Sequence, residues 1–419
     1  DLRAAAARVE RAEAEARIAG ADLRPQVSAG LNASRQKQNF IGLPIPGAEG
    51  EVLSTTSTRY GLSLDVSWEV DLWGRLRAGA RAAAAEFQAT EAELSGARLS
   101  IAGQTAKAWF GVLHAVQQTE LARHSAESFR DVAEEVRSRY EKGLRPPVEL
   151  RLALSNLAGA EALLERRLDE LDRATRQLEV LLGRYPAGSL LERYGAGDLP
   201  PLPADVPAGL PAEIVARRPD LVAAERRLAA ADQRLLEARR SLYPRLTLTG
   251  SGGSASEELG DLLDGDFSVW SLAGGLLQPV FQGGRLRANV DRADAIEREL
   301  LESYAGAVLR AYAEVESALA AEDRLAERER HLAEAAEQLS AALRLSEERY
   351  RLGVGDYLTV LTSQTNLLAA EGQLLDVRLG LLANRVDLHL ALGGGFEFDP
   401  REARAENHAA LRASETAEE

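Results

Sequence analysis

From Tyr60 to Leu72 the chain alternates without a break, with Tyr60, Leu62, Leu64, Val66, Trp68, Val70 and Leu72 in one phase and Gly61, Ser63, Asp65, Ser67, Glu69 and Asp71 in the other. A period of two is that of a β-strand, whose successive side chains point to opposite faces. Thirteen residues of it, with aromatics at Tyr60, Trp68 and Trp73, match a strand of a membrane barrel with lipid on one side and water on the other. Tyr60, Leu62, Leu64, Val66, Trp68 and Val70 are then the candidate lipid-facing set. The plainer reading is a half-buried strand of a soluble sheet. The preceding segment has the same character, with Val27, Ala29, Leu31 and Ala33 opposite Gln26, Ser28, Asn32 and Ser34. Later strand signals are weaker. Arg245 to Gly252 alternates briefly, and Phe267 to Phe281 loses phase around Gly274-Gly275, which predicts a bulge or bend. The polar stretches Arg35 to Arg59 and Ser254 to Asp266 are predicted as loops.

Elsewhere the period becomes helical, as in Leu150, Leu154, Leu157, Leu164, Leu168, Leu171, Leu178 and Leu182. Proline-free stretches run from Gly47 to Arg145, Val148 to Tyr185 and Val280 to Asp399. A helix from Arg75 to Glu141 would be about 100 Å long at about 1.5 Å per residue, far beyond the usual globular helix. Alanines such as Ala82 to Ala85 let neighbours approach on more than one side. A two-stranded coil needs one apolar seam, whereas a ring of helices needs two. The turns Lys142-Gly143-Leu144-Arg145-Pro146-Pro147 and Leu352-Gly353-Val354-Gly355-Asp356 each join two antiparallel helices. A Pro- and Gly-rich connector runs from Gly183 to Pro219, and the polar tail beyond Gly395 is predicted to fray.

The second half repeats the first. Arg139-Tyr140 returns as Arg349-Tyr350, Gly143 as Gly353, Asn156-Leu157 as Asn366-Leu367 and Leu182-Gly183 as Leu392-Gly393, always 210 positions on. Upstream the offset is 219, with Asp1-Leu2 matching Asp220-Leu221, so nine extra residues lie in the first hairpin. The chain divides into a first repeat (1–211), a second repeat (212–395) and a tail expected to be flexible (396–419). Two halves so related usually surround an axis.

Composition narrows the function. A formal net charge of -15 removes the overall phosphate attraction that nucleic-acid binding requires. The absence of cysteine excludes disulfides and thiolate chemistry. The absence of methionine behind Asp1 leads to the expectation of a further segment upstream. No apolar run of about 18 residues occurs, so only a barrel could span a membrane. His114, His124, His331, His389 and His408 lack metal-ligand spacing and are expected to be exposed helix residues. Gly195-Ala196-Gly197 neither follows a strand nor opens a helix, so it is not a phosphate loop. No convergent nucleophile, metal cluster or cofactor loop supports an enzyme, and no cofactor is expected.

Several motifs then become specific. Arg217-Arg218-Pro219-Asp220-Leu221-Val222-Ala223-Ala224-Glu225-Arg226-Arg227-Leu228, Gln278-Pro279-Val280-Phe281-Gln282-Gly283-Gly284-Arg285 and Ala391-Leu392-Gly393-Gly394-Gly395 strongly resemble signatures of TolC-like outer-membrane factors, particularly the efflux lipoprotein branch. Asp71-Leu72-Trp73-Gly74-Arg75 resembles that family's strand-to-helix junction. The resemblance covers nearly all of Asp1 to Phe396. It implies a mainly α fold with a transmembrane β part. Long antiparallel helices of a homotrimer would form an α-barrel in the periplasm, continuous with a 12-stranded β-barrel to which each chain gives four strands.

The function implied is a passive exit duct in the outer membrane of a Gram-negative bacterium. It would release drugs or other small toxic compounds from a tripartite pump, with a periplasmic adaptor and an inner-membrane pump as partners. A signal peptide and a lipidated cysteine are expected upstream of Asp1. Adaptor docking would fall on the hairpin tips, at Gly143, Leu144, Arg145, Leu352, Gly353, Val354 and Gly355, although turn chemistry alone accounts for such residues. Several family members carry an acidic ring just after the second tip, where this chain has Thr359 and Thr362. Asp356 and Glu149 are the carboxylates nearby, so the candidate gate is Tyr350, Asp356, Tyr357, Thr359, Thr362 and Glu149. Ordinary packing and solvated polar positions are the plainer reading. The alternatives in function are a soluble periplasmic helical scaffold or adaptor, and a type I secretion duct.

Overall fold

The computed structural model describes residues 1–40, 53–191, 195, 197–202 and 215–394. The expected fraying of the tail and the tip of the first strand connection lie outside them. In chain order the elements are α1 (Leu2–Ala21), β1 (Gln26–Phe40), β2 (Leu53–Val70), α2 (Arg75–Glu141), α3 (Pro147–Leu181), α4 (Pro219–Arg240), β3 (Arg245–Ser256), two short 3-10 turns (Leu259–Leu263 and Gly265–Phe267), β4 (Ser268–Leu277), α5 (Arg285–Arg351) and α6 (Tyr357–Ala391). The duplication is visible element by element. Adding 210 to the bounds of α2 and α3 gives those of α5 and α6, and α2 and α5 are each 67 residues long. No described helix is long and apolar enough to cross a membrane.

Two compact units cut across the repeats, Asp1–Leu94 with Val222–Gly306 and Ser95–Leu221 with Ala307–Glu419. The first holds a four-stranded antiparallel sheet in the order β1-β2-β3-β4. Its register sorts the side chains. Val27, Ala29, Leu31 and Ala33 pair with Val66, Leu64, Leu62 and Tyr60, while Leu246 and Leu248 pair with Val70 and Trp68 on the other flank. Leu276, Leu272 and Trp270 continue the row on β4, opposite Leu246, Gly250 and Gly252. One apolar face therefore crosses all four strands, and most of its large side chains are exposed, Leu31 at 71% and Leu272 at 79%. The other face carries Ser28, Asn32, Ser63, Asp65, Ser67, Glu69, Thr247 and Thr249.

Four expectations are corrected here. The strands β1 and β2 reach Phe40 and start at Leu53, so much of the expected Arg35–Arg59 loop is strand. The nine extra residues went into a longer hairpin. Alternation ends at Val70, because Asp71 turns to cap α2, its carboxylate accepting from the N–H groups of Leu76 (3.1 Å) and Arg77 (2.9 Å). Strand β3 runs to Ser256, past Gly252, and the rest of the expected loop contains the two 3-10 turns. Finally, β4 has no bulge: its pairing is continuous from Arg245 with Leu277 to Ser254 with Ser268. Gly274 occupies an apolar-face position, which erased the alternation without disturbing the backbone.

At the strand-to-helix junction Trp73 stacks on Tyr243 with ring centres 5.3 Å apart and donates to the Pro244 carbonyl at 2.8 Å. In the helices that adjoin the strands in sequence, α2 and α4 bury Ala78, Ala82, Ala89, Ala223, Ala230 and Ala231. Alanine there lets helix backbones come close. Arg75 with Glu69 and Glu237, and Arg234 with Glu86, supply the polar fastening.

Candidate functional site

Within the second unit the two hairpin tips are built alike. Gly143 (φ 71°) ends α2 as its N–H donates to Tyr140 O and the N–H of Leu144 donates to Arg139 O, each at 2.9 Å. Gly353 (φ 80°) ends α5 with the equivalent bonds to Tyr350 O and Arg349 O, each at 3.1 Å. Only glycine enters that left-handed conformation without steric cost. The restarts differ. Pro147 opens α3 behind Pro146, where a missing N–H costs nothing, whereas Asp356 caps α6 by accepting from the Thr359 N–H at 2.7 Å. That bond holds the Asp356 carboxyl below the ordinary carboxylate range. Its charge is engaged locally.

Between the tips lies a core of Val136, Ala153, Tyr350, Tyr357 and Val360. Tyr350 is 2% exposed, while its counterpart in the first repeat, Tyr140, is 41% exposed. The guanidinium of Arg139 lies 4.6 Å from the Tyr350 ring centre and donates to Tyr350 O (2.9 Å) and Arg351 O (3.3 Å). Arg145 lies 5.0 Å from the same ring, donates to Gly355 O at 3.4 Å and pairs with Glu149 at 3.6 Å. The Tyr350 hydroxyl and Glu149 Oε2 are buried without a hydrogen-bond partner among the described residues. Burial, reinforced by the Glu149 charge, pushes the Tyr350 hydroxyl pKa up, and burial raises that of Tyr357.

Tyr350, Tyr357 and Glu149 thus come together, whereas Thr359 and Thr362 are exposed along α6 with Leu358, Thr365 and Asn366. The Thr362 hydroxyl donates back to Leu358 O at 2.9 Å, so this face is polar but uncharged. The repeat offset of 210 makes Glu149 the counterpart of Thr359, placing the carboxylate in the first copy instead of the second. A cleft beside Tyr350 adds Glu127, Asp131, Glu135 and Glu347. Of the tip residues, Leu144, Leu352 and Val354 are exposed, while Arg145 is turned onto the tyrosine. Arg139 was missed. Its signal was present in the repeated Arg-Tyr pair.

Deeper in this unit, one family-like motif acquires a structural reason. Arg218 donates to both carboxylate oxygens of Asp220 (3.1 and 2.9 Å), to Glu314 (2.7 Å) and to Ala391 O (3.1 Å). It ties the start of α4 to α5 and to the end of α6. Gly393 (φ 88°) completes the fit, since a Cβ there would lie 2.9 Å from the Arg217 carbonyl carbon. Burial pushes the Asp220 carboxyl up, but the Arg218 bonds outweigh it and hold it below its ordinary range. His114 also departs from expectation: it is largely buried and bonded to Asp376 at 2.9 Å, with Gln118 at 3.3 Å. No metal-binding cluster occurs among the described residues.

A family model described as "Outer membrane efflux protein" matches residues 1–184 and 210–394, one match per repeat. The chain is 35% identical to a pyoverdine export outer membrane protein, OpmQ, of Pseudomonas putida over 95% of this chain and 84% of that protein. It is 33% identical to the outer membrane protein OprJ of Pseudomonas aeruginosa, over 93% and 80%. The open-state structure of the MtrE outer membrane channel of Neisseria gonorrhoeae superposes with a TM-score of 0.80 at 30% identity, covering 94% of this chain and 86% of that one.

Proposed function

The chain belongs to the outer membrane efflux protein family, and from that premise we propose that three copies form one passive duct. Its place is the outer membrane and its role is efflux. The carrying observation is the apolar face that crosses all four strands uncovered. Tyr60 and Val70 are ten residues apart on β2. At about 3.4 Å per residue and a tilt of about 40°, that is a height of about 26 Å, the apolar band of a membrane barrel. A four-stranded sheet with β1 and β4 as open edges cannot stand in a membrane alone. Three such sheets, edge to edge, close a ring of twelve strands. Tyr60, Leu62, Leu64, Val66, Trp68 and Val70 then face lipid, and the polar face lines water.

The tips are the gate and the docking point in this reading. Arg139 and Arg145 of the first hairpin hold Tyr350 and Gly355 of the second, which keeps the tip closed. Exposed Leu144, Leu352 and Val354 offer apolar knobs to a periplasmic adaptor coupled to an inner-membrane pump. Thr359 and Thr362 make the constriction neutral instead of acidic. A small exported organic molecule, such as the one the OpmQ name specifies, is the cargo class. Expression in a bacterium lacking its own outer-membrane efflux component, together with a matched adaptor and pump, tests this. Dye accumulation should fall to the level of the intact strain. Unchanged accumulation by correctly inserted protein would contradict the proposal.

A further inference from the structure

The pairing of β2 with β3 ends at Tyr60 with Ser256, but its pairing with β1 continues from Ser34 with Arg59 to Phe40 with Leu53. A two-stranded ribbon of seven residue pairs therefore projects beyond the sheet, about 20 Å at about 3.4 Å per residue. The connection of this hairpin lies at the end of the sheet away from α1 and α2. The apolar character stops at the ribbon's base, but the same strand face continues upward with polar residues. The same phase that carries Val27, Leu31 and Ala33 goes on through Arg35 opposite Thr58, Lys37 opposite Thr56, and Asn39 opposite Ser54.

Charge on this ribbon has one sign. Residues 34–40 and 53–59 contain Arg35, Lys37 and Arg59 and no carboxylate, in a chain of net charge -15. Arg35 and Lys37 are exposed and have no ion-pair partner among the described residues. Two residues apart on one strand face, their Cα atoms are about 7 Å apart, close enough to share one diphosphorylated head group. A guanidinium and an ammonium flanked by threonine hydroxyls are donors suited to phosphate oxygens. Acidic side chains sit instead in the β3–β4 connection, at Glu257, Glu258, Asp261, Asp264 and Asp266.

We infer that Arg35 and Lys37 form a binding site for the phosphate groups of the outer leaflet's glycolipid. This rests on the reading of the apolar face as lipid-facing. Acyl chains then lie on Val27 to Ala33, and the phosphates meet the two cations two and four residue pairs higher. Continuity with the apolar belt selects a lipid over free phosphate.

The full-length channel in detergent, offered diphosphorylated or dephosphorylated lipid A, tests the site by native mass spectrometry. Wild type should retain the diphosphorylated lipid at least about tenfold better than the Arg35→Ser/Lys37→Ser variant, and both should hold the dephosphorylated lipid equally. Inorganic phosphate in excess should not displace the lipid. Equal retention by wild type and variant overturns the site, and so does displacement by inorganic phosphate. Loss of assembly in the variant also overturns it, assigning the cations to a neighbouring chain's carboxylates. Membrane insertion of Leu64→Arg reports separately: normal insertion overturns the lipid-facing reading itself.

Discussion

Arg139 holds Tyr350 from two directions, its guanidinium lying 4.6 Å from the ring centre and donating a 2.9 Å bond to the same residue's carbonyl oxygen. The ring contact binds a cation to a π face, and the hydrogen bond fixes the end of α5 against α2. The Tyr350 hydroxyl takes no part in either. Tyr350→Phe should therefore preserve the contact with Arg139 and leave the melting temperature unchanged or slightly raised, because it removes a buried hydroxyl with no hydrogen-bond partner among the described residues. Tyr350→Ala should cost about 3–5 kcal/mol through the cavity it leaves. Thermal unfolding of the two variants checks the contrast.

Arg218→Ala should destabilise the second unit by about 1–3 kcal/mol, discounted because Asp220 and Glu314 are more than half exposed. Asp220 has a lowered folded-state pKa, so its contribution is present above the ordinary carboxylate value of about 3.9 and is lost as pH falls through the folded value. Wild type should lose melting temperature on acidification below about pH 4, and Arg218→Ala should lose less over the same range. Parallel loss in both proteins would remove the ion pair as the cause.

Glu371 behaves in the opposite sense. Burial raises its pKa, and no ion-pair partner faces it among the described residues, whereas its first-repeat counterpart Glu161 pairs with Arg130 at 2.8 Å. The folded state therefore pays for the charge above the folded pKa and is relieved as pH falls through it. Glu371→Gln should be more stable than wild type at neutral pH, with the difference vanishing below about pH 4. Melting temperatures at the two pH values decide it.

The two faces of β2 should respond differently to charge. Leu64→Arg, on the apolar face, should cost about 2–4 kcal/mol in the membrane and block insertion, while Ser67→Arg on the polar face should insert. Fractionation and heat-modifiability of the two variants measure this.

Much of the architecture was legible in the sequence because it rests on periodicity. The bounds of α2 and the alternation over Tyr60 to Val70 follow from spacing alone. Strand β4 was not legible, since Gly274 and Gly275 carry no side chain to show which face they occupy. The ends of β1 and β2 were not legible either, because Gln36, Lys37, Gln38, Thr55, Thr56 and Ser57 read as a loop and pair only with one another. At the tips, the motif residues were visible but their contacts were not. That Arg139 and Arg145 converge on one tyrosine, more than two hundred positions away, is a fact of folding that no local pattern carries.

The central claim is a membrane duct held shut at its helical tip by the first hairpin's arginines. Single-channel conductance of the full-length protein in planar bilayers tests it most directly. Wild type should insert as a trimeric channel of low conductance, and Arg139→Ala should raise that conductance several-fold. A protein that fails to insert or assemble, or an Arg139→Ala channel indistinguishable from wild type, would contradict it.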